Sequence, residues 1–374
     1  MTGSVPIRTQ HTAQPWLSNP ARDRTWTCPP VSRDVIDFHR GLAEYAPTKL
    51  VDLPALAAEL GVGRLLVKDE SYRLGLPAFK SLGASWAIDR VLRARVRSDV
   101  GPSEGPLTVV AATDGNHGRA VARFSRLLGH RAQIFVPDGV HPAAIQAICD
   151  EGADVTTVPA DYDEAVRSAA RYADDDGGVL VQDTAWTGYE EVPGWIVDGY
   201  STLFRELDDQ LADLGIEQPE MVLVPTGVGS LLQAGLTHYR AHRTGADTAV
   251  VSVEPVEAAC VQASIAVGHP VSVATGRTIM AGLNCGTVSS LAWPSIHRGL
   301  DATATVTDDQ AIFAARALAD NGVQVGPCGA APLAAAQTLA TKRPPDTREL
   351  GLQVSSRTTL VLIATEGESA NPLA

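Results

Sequence analysis

The sequence predicts an α/β fold: two domains, each an open twisted sheet of mostly parallel strands. Three observations carry this. The chain has 374 residues, room for two domains at about 150 residues each. Eight short runs rich in branched residues, each bounded by Gly, Pro or Asp, read as strands. Amphipathic stretches lie between them, and strands that alternate with helices assemble into parallel sheet.

In chain order, residues 1–45 are rich in Pro, Thr, Ser and Arg without a period, and read as an extended arm over the body. The strand candidates are Leu65–Lys68, Thr108–Ala112, Gln133–Val136, Val155–Val158, Val179–Gln182, Met221–Val224, Val250–Val253 and Thr359–Ala364. The clearest helix runs from Ile196 to Leu211, with Ile196, Val197, Tyr200, Leu203, Phe204, Leu207 and Leu211 on one face. Thr307 and Gln310 have the spacing of a capping box that opens a helix Asp308–Ala319. Asp174–Gly178 reads as a surface turn. No repeat or low-complexity linker divides the chain.

Composition narrows the function. A hydrophobic fraction of 45% with 20% charged residues suits a globular protein. A net charge of -13 argues against nucleic acid or an anionic membrane as partner. No apolar run approaches the about 18 residues that span a bilayer, and the N-terminal stretch lacks the apolar core of a signal peptide. A cytoplasmic location is the default. Five scattered cysteines include no C-x-x-C pair, which argues against structural zinc.

Three segments carry chemistry. In VKDESYRLGLPAFKSLG (67–83) a strand, a charged cluster and a Gly/Pro loop lead to a helix that begins near Phe79 and Lys80. A lysine in the first turn faces the positive end of the helix dipole. Either it reaches solvent, or a pocket lowers its pKa as an imine-forming lysine requires. In ATDGNHG (112–118) a strand ends in a small-residue turn that presents backbone N–H groups to an anion such as a carboxylate. The alternative is an Asp-Gly turn capped by Asp114. In PTGVGS (225–230) a Gly loop between strand and helix suits a phosphate, although such loops are common.

Taken in this order, and with Cys328-Gly329-Ala330-Ala331 near the C-terminus, the segments resemble pyridoxal-phosphate enzymes of fold type II, the tryptophan synthase β-like fold. The resemblance covers about residues 45 to 366. Within that fold, VKDESYRLGLPAFKSLGAS, TDGNHGR, VLVQDTAWTGYEEVPGWIVDGYSTL, GVGS, VEP and TIMAGLNCG are similar to diaminopropionate ammonia-lyases. The sequence departs from that pattern at Pro327-Cys328, where the family has Glu-Ser.

The resemblance implies pyridoxal 5'-phosphate as cofactor, held by Lys80 as a Schiff base. It implies that Gly227, Val228, Gly229 and Ser230 anchor the phosphate, that Asn116 binds the phenolic oxygen and that Cys328 sits at the pyridine nitrogen. Asp114 and Asp183 fall at substrate-facing positions and join Lys80 as catalytic candidates; either caps a turn if not. His117 reads as a hydrogen-bonding neighbour of the cofactor and Glu254 as structural. Trp186 and Tyr189 read as pocket walls or core. Residues 46–84 with 183–374 form a large cofactor domain, and 85–182 a small mobile one. A homodimer is implied. Cys260 and Cys285 lie in the family segments VEPVEAAC and TIMAGLNC; a disulfide between them is unexpected in a reducing cytosol.

The activity this implies is α,β-elimination from a small amino acid, with 2,3-diaminopropionate giving pyruvate and ammonia. The alternatives are a serine/threonine-type dehydratase, or a β-replacement synthase that works through an aminoacrylate. A carboxylate at Asp114 favours an amine over an alcohol as leaving group. A non-catalytic relative would have lost the lysine, and Lys80 is present.

Overall fold

The computed structural model describes residues 13–97, 105–241, 248–341, 352 and 354–370. The first twelve residues of the expected arm lie outside them. In chain order the strands are β1 (Trp16–Ser18), β2 (Lys49–Asp52), β3 (Arg64–Asp69), β4 (Thr108–Ala112), β5 (Arg131–Pro137), β6 (Asp154–Val158), β7 (Val179–Leu180), β8 (Met221–Pro225), β9 (Ala249–Pro255), β10 (Ala302–Val306) and β11 (Thr359–Ala364). They form a seven-stranded sheet of order β1-β10-β9-β8-β11-β3-β2 and a four-stranded sheet of order β6-β5-β4-β7. The small sheet is parallel throughout. The large one is parallel except for the edge strands β1 and β2.

All eight expected strands are present, and one is shorter than expected. β7 ends at Leu180 because Gln182 turns its side chain into the ladder: its Oε1 accepts from the Ala112 backbone N–H at 2.8 Å. Three strands escaped the sequence reading. β10 is ATATV, small and weakly apolar, yet buried at every position. β2 is KLVD, flanked by charge. β1 has three residues and pairs antiparallel with β10, so part of the expected arm is locked to the sheet edge. Such pairing protects an otherwise open edge. The arm also holds a helix, Asp34–Arg40, whose His39 is wholly buried and bonds Thr202 Oγ1 at 2.7 Å.

The expected helix Ile196–Leu211 lies within Glu191–Asp213, and the residues named for its inner face are all buried. Thr307 and Gln310 make the capping box, and the helix ends at Asp320. Helix Lys80–Arg97 crosses Glu191–Asp213 at very close range. A Cβ on Gly83 would lie 2.6 Å from Tyr200 Cε1, and one on Gly199 would lie 2.6 Å from Leu82 O. Below the crossing a buried ionic group ties β3 to the long helix. Glu206 accepts from Lys68 Nζ at 2.9 Å and Arg73 Nη1 at 2.6 Å, and Arg73 Nη2 also meets Glu70 at 2.6 Å. Two cations and two carboxylates cancel there, which is what makes their burial tolerable. Ser81 donates to the Arg73 carbonyl at 3.0 Å, which links this group to the turn that carries Lys80.

Candidate active site

Strand ends supply the site. The loops after β3, β4, β8 and β11 converge on one cavity of about 830 Å³, where ligand clefts of open α/β sheets form. Lys80, Asp114, Asn116, Asp183, Gly227, Val228, Gly229, Ser230 and Cys328 all line it. Every site residue expected from the sequence is therefore brought together.

Lys80 opens its helix, and its Nζ bonds directly to Asp183 Oδ2. Of the two readings left open for Lys80, a lowered pKa is not what the charges of the cavity produce. Burial pushes the ammonium down, but the Asp183 carboxylate beside it pulls harder, so the pKa is raised. Burial likewise pushes Asp183 up, and Lys80 more than offsets this, which leaves it at about 2. Ser230 Oγ donates to the Asp183 backbone carbonyl at 2.7 Å, so the phosphate-type loop and this carboxylate are fixed to each other.

Asp114 is not a cap. The residue before the helix Asn116–Leu127 is Gly115, with φ +146°, so the N-cap position itself offers no side chain. The turn is held instead by Thr113 Oγ1, which accepts from Gly115 N at 2.9 Å and Gly118 N at 3.0 Å. Asp114 is left half-buried in the cavity wall. Burial, and then the nearby Asp183 charge, raise its pKa to about 7. Two carboxylates in one pocket thus hold very different proton affinities, the pattern that separates acid and base roles.

His117 donates from Nε2 to Val181 O at 2.7 Å, and its Nδ1 lies 4.0 Å from Asp183 with no hydrogen-bond partner. Burial lowers its pKa, so the ring is neutral. Glu254 accepts from the N–H groups of Val261 at 2.7 Å and Gln262 at 2.8 Å, capping the helix Cys260–Val267. Trp186 and Tyr189 stack on each other at 4.5 Å, outside the cavity lining. All five cysteines are free.

Among the lining residues missed in the sequence, two bond directly to expected site side chains. Tyr162 donates to Asp183 Oδ1 at 3.4 Å and accepts from Gln182 Nε2 at 2.8 Å. Nothing in its sequence neighbourhood marks it. Glu366 is buried behind Asn116, and its Oε2 accepts from Asn116 Nδ2 at 2.6 Å. Its place just beyond the C-terminal end of β11 was the signal that could have found it.

The cavity fits the cofactor that the resemblance implies. It offers one primary amine, Lys80. Its Gly loop has no room for side chains: a Cβ on Gly227 would lie 2.9 Å from Cys285 Sγ, and one on Gly229, at φ +101°, would lie 2.8 Å from Ile296 Cδ1. That loop opens the helix Ser230–Ala241, whose N-terminal N–H groups suit a phosphate.

Known proteins agree. The family model for pyridoxal-phosphate dependent enzymes matches residues 42–350. A diaminopropionate ammonia-lyase of Salmonella typhimurium is 39% identical over 284 residues, 71% of this chain and 70% of that protein. The Escherichia coli K12 diaminopropionate ammonia-lyase is 38% identical over 266 residues, 68% of this chain and 67% of that one. A crystal structure of the Escherichia coli enzyme, in complex with an aminoacrylate-PLP azomethine reaction intermediate, superposes with a TM-score of 0.86 at 32% identity, covering 95% of this chain and 94% of that one. The chain belongs to the pyridoxal-phosphate-dependent enzymes of fold type II and, within them, to the diaminopropionate ammonia-lyase family.

Proposed function

We propose that this enzyme eliminates ammonia from 2,3-diaminopropionate to leave pyruvate and a second ammonia. The observation that carries the reading is the pair of carboxylates, Asp114 and Asp183, facing a single amine, Lys80, in one cavity. Pyridoxal phosphate, when bound, supplies the electron sink for the bond to the α-hydrogen. The residues do the rest. Gly227, Val228, Gly229 and Ser230 hold its phosphate, Asn116 its phenolic oxygen, and Lys80 its aldehyde carbon. Displaced from the cofactor by substrate as a neutral amine, and before it takes up a proton, Lys80 would be the base for an L-amino acid. Asp183 is fully ionised at neutral pH and orients the amine.

Asp114 receives the β-ammonium of the substrate. With a pKa of about 7 it is the one carboxyl of the pair that exchanges a proton near neutrality. An arriving ammonium favours its ionised form, and the pair orients the leaving nitrogen. The same residue supports a second reading, dehydration of serine or threonine. With its proton on, Asp114 can donate to a leaving hydroxyl. The deciding assay is release of 2-keto acid and ammonia from diamino- and hydroxyamino acids of both hands, at pH 6 and pH 8. Turnover of hydroxyamino acids alone would overturn the ammonia-lyase reading.

The same proposal covers assembly and motion: a cytoplasmic homodimer whose unit 85–182, with the four-stranded sheet, closes over substrate. In its support, Tyr162 of that unit donates to Asp183 at 3.4 Å, and both line the cavity. Among the described residues no helix is long and apolar enough to cross a membrane.

A further inference from the structure

Glu366 is a buried carboxylate with no assigned work. It is 2% exposed and lies two residues beyond β11, on the cavity wall. Its Oε2 accepts from Asn116 Nδ2 at 2.6 Å, and its Oε1 accepts from the Cys328 backbone N–H at 3.3 Å. Glycines close in around it: a Cβ on Gly326 would sit 3.0 Å from its Oε1, and one on Gly329 would sit 2.8 Å from its carbonyl. It also faces Ala78 in an isolated β-bridge, which fixes it beside the turn that carries Lys80. No cation lies within ion-pair distance of it among the described residues. Its compensation is three neutral donors, the Asn116 amide and the backbone N–H and thiol of Cys328, with the Lys80 charge only at longer range, and burial still raises its pKa.

Such a group is explained if a cation arrives with the cofactor. Pyridoxal phosphate has one atom that becomes cationic, the ring nitrogen. The aldehyde goes to Lys80 and the phosphate to the loop 227–230. The nitrogen lies across the ring from the aldehyde-bearing carbon, so it points to another wall. The sequence assigned that place to Cys328, and the carboxylate of Glu366 occupies the same corner. A thiol is a weak donor and a weak acceptor. A carboxylate opposite a pyridinium makes a charge-assisted hydrogen bond, roughly twice as strong as a neutral one.

We infer that Glu366, not the Cys328 thiol, binds the ring nitrogen of pyridoxal phosphate and keeps it protonated. The inference rests on the proposed anchoring at Lys80 and the loop 227–230. It makes the cofactor a stronger electron sink than a thiol partner would. The partner role also explains why the Pro327-Cys328 departure from the ammonia-lyase pattern is tolerated: the proton on the ring does not depend on that position.

The test is nitrogen NMR of holoenzyme loaded with pyridoxal phosphate labelled with ¹⁵N in the ring. Wild type should show the pyridinium resonance. Glu366→Gln should move it to the position of unprotonated pyridine, whereas Cys328→Ala should leave it in place. Glu366→Asp keeps a carboxylate and should retain the pyridinium signal even if Glu366→Gln folds poorly. A neutral nitrogen in wild type overturns the inference. So does a pyridinium signal that survives Glu366→Gln and is lost in Cys328→Ala. Borohydride reduction of the same samples separates this from a failed anchor. If the anchoring is wrong, no label is fixed to Lys80; if only Glu366 is wrong, the label is fixed and its nitrogen is neutral.

Discussion

Replacing Asp114 by Asn should pull stability and activity in opposite directions. In the fold its carboxyl holds a proton up to about pH 7, against an ordinary value of 3.8. In the unfolded chain it ionises near pH 4. Between those values the folded state binds more protons than the unfolded one, so stability falls as pH rises from about 4 to about 7, then stays flat. The difference, at about 1.4 kcal/mol per pH unit, comes to about 4 kcal/mol. Asp114 is only half-buried and touches the water of the cavity, so screening cuts this to about 2 kcal/mol. Asn keeps the shape and does not titrate. Cofactor-free Asp114→Asn protein should therefore be more stable than wild type at pH 8, by about 2 kcal/mol, and no more stable at pH 4. Denaturant unfolding at both pH values measures this.

Activity runs the other way. Loss of a charge-assisted bond to the β-ammonium costs roughly 1.5–3 kcal/mol, about tenfold or more in kcat/KM on diaminopropionate. A proton-transfer role would add about another 100-fold. In wild type, kcat/KM should rise with pH through the region near 7, as Asp114 ionises in the free enzyme. That limb should vanish in Asp114→Asn. An Asn variant with wild-type turnover, an unchanged acid limb and no gain at pH 8 would refute the placement of this carboxyl.

Purified holoenzyme should be yellow, borohydride should bleach it, and Lys80→Ala should abolish both the covalent link and turnover; colourless protein that gains no absorbance with added pyridoxal phosphate would contradict the site. Gly229→Ala should weaken cofactor binding and destabilise the fold by about 1–3 kcal/mol, since its Cβ meets Ile296 at a positive φ; equilibrium dialysis and thermal melting read the two effects. Glu206→Gln should cost about 3–5 kcal/mol because it leaves Glu70 as the one carboxylate facing the two buried cations Lys68 and Arg73, and a melting point near wild type would show that water reaches that group. Light scattering at monomer mass would exclude the homodimer.

What the sequence made legible was whatever depends on neighbours along the chain. Branched runs marked β3, β4, β5, β8, β9 and β11 because those strands are largely buried and apolar on their own account, and β6, though mostly exposed, because Val and Thr still mark a strand. β10 was invisible: its Ala and Thr residues acquire burial from the sheet neighbours β9 and β1 and from the helices packed on the sheet. Gln182 shows the same limit. Its residue type fits a strand end, but its side chain completes the backbone ladder of β4, a tertiary substitution that no local pattern encodes.

The site divides along the same line. Lys80, Asn116 and the loop 227–230 were legible as candidates because each proposed role is local: an amine at a helix start, an amide in a turn, N–H groups at a helix end. Their identification still needed the order of four motifs, since each one alone is commonplace. The protonation of the pair Asp114 and Asp183 was not legible, because it depends on which of them meets Lys80. Asp183 bonds the ammonium and is driven to about 2, whereas burial and the Asp183 charge, only partly offset by Lys80, put Asp114 at about 7. Lys80 is held protonated by the same pairing. A single contact between residues 103 positions apart therefore raises the proton affinity of Lys80 and lowers that of Asp183, while burial does most to raise that of Asp114. Glu366 follows the same logic at 250 positions from Asn116. The sequence names the groups that can carry charge, but the pairing chosen by the fold decides which of them hold a proton when substrate arrives.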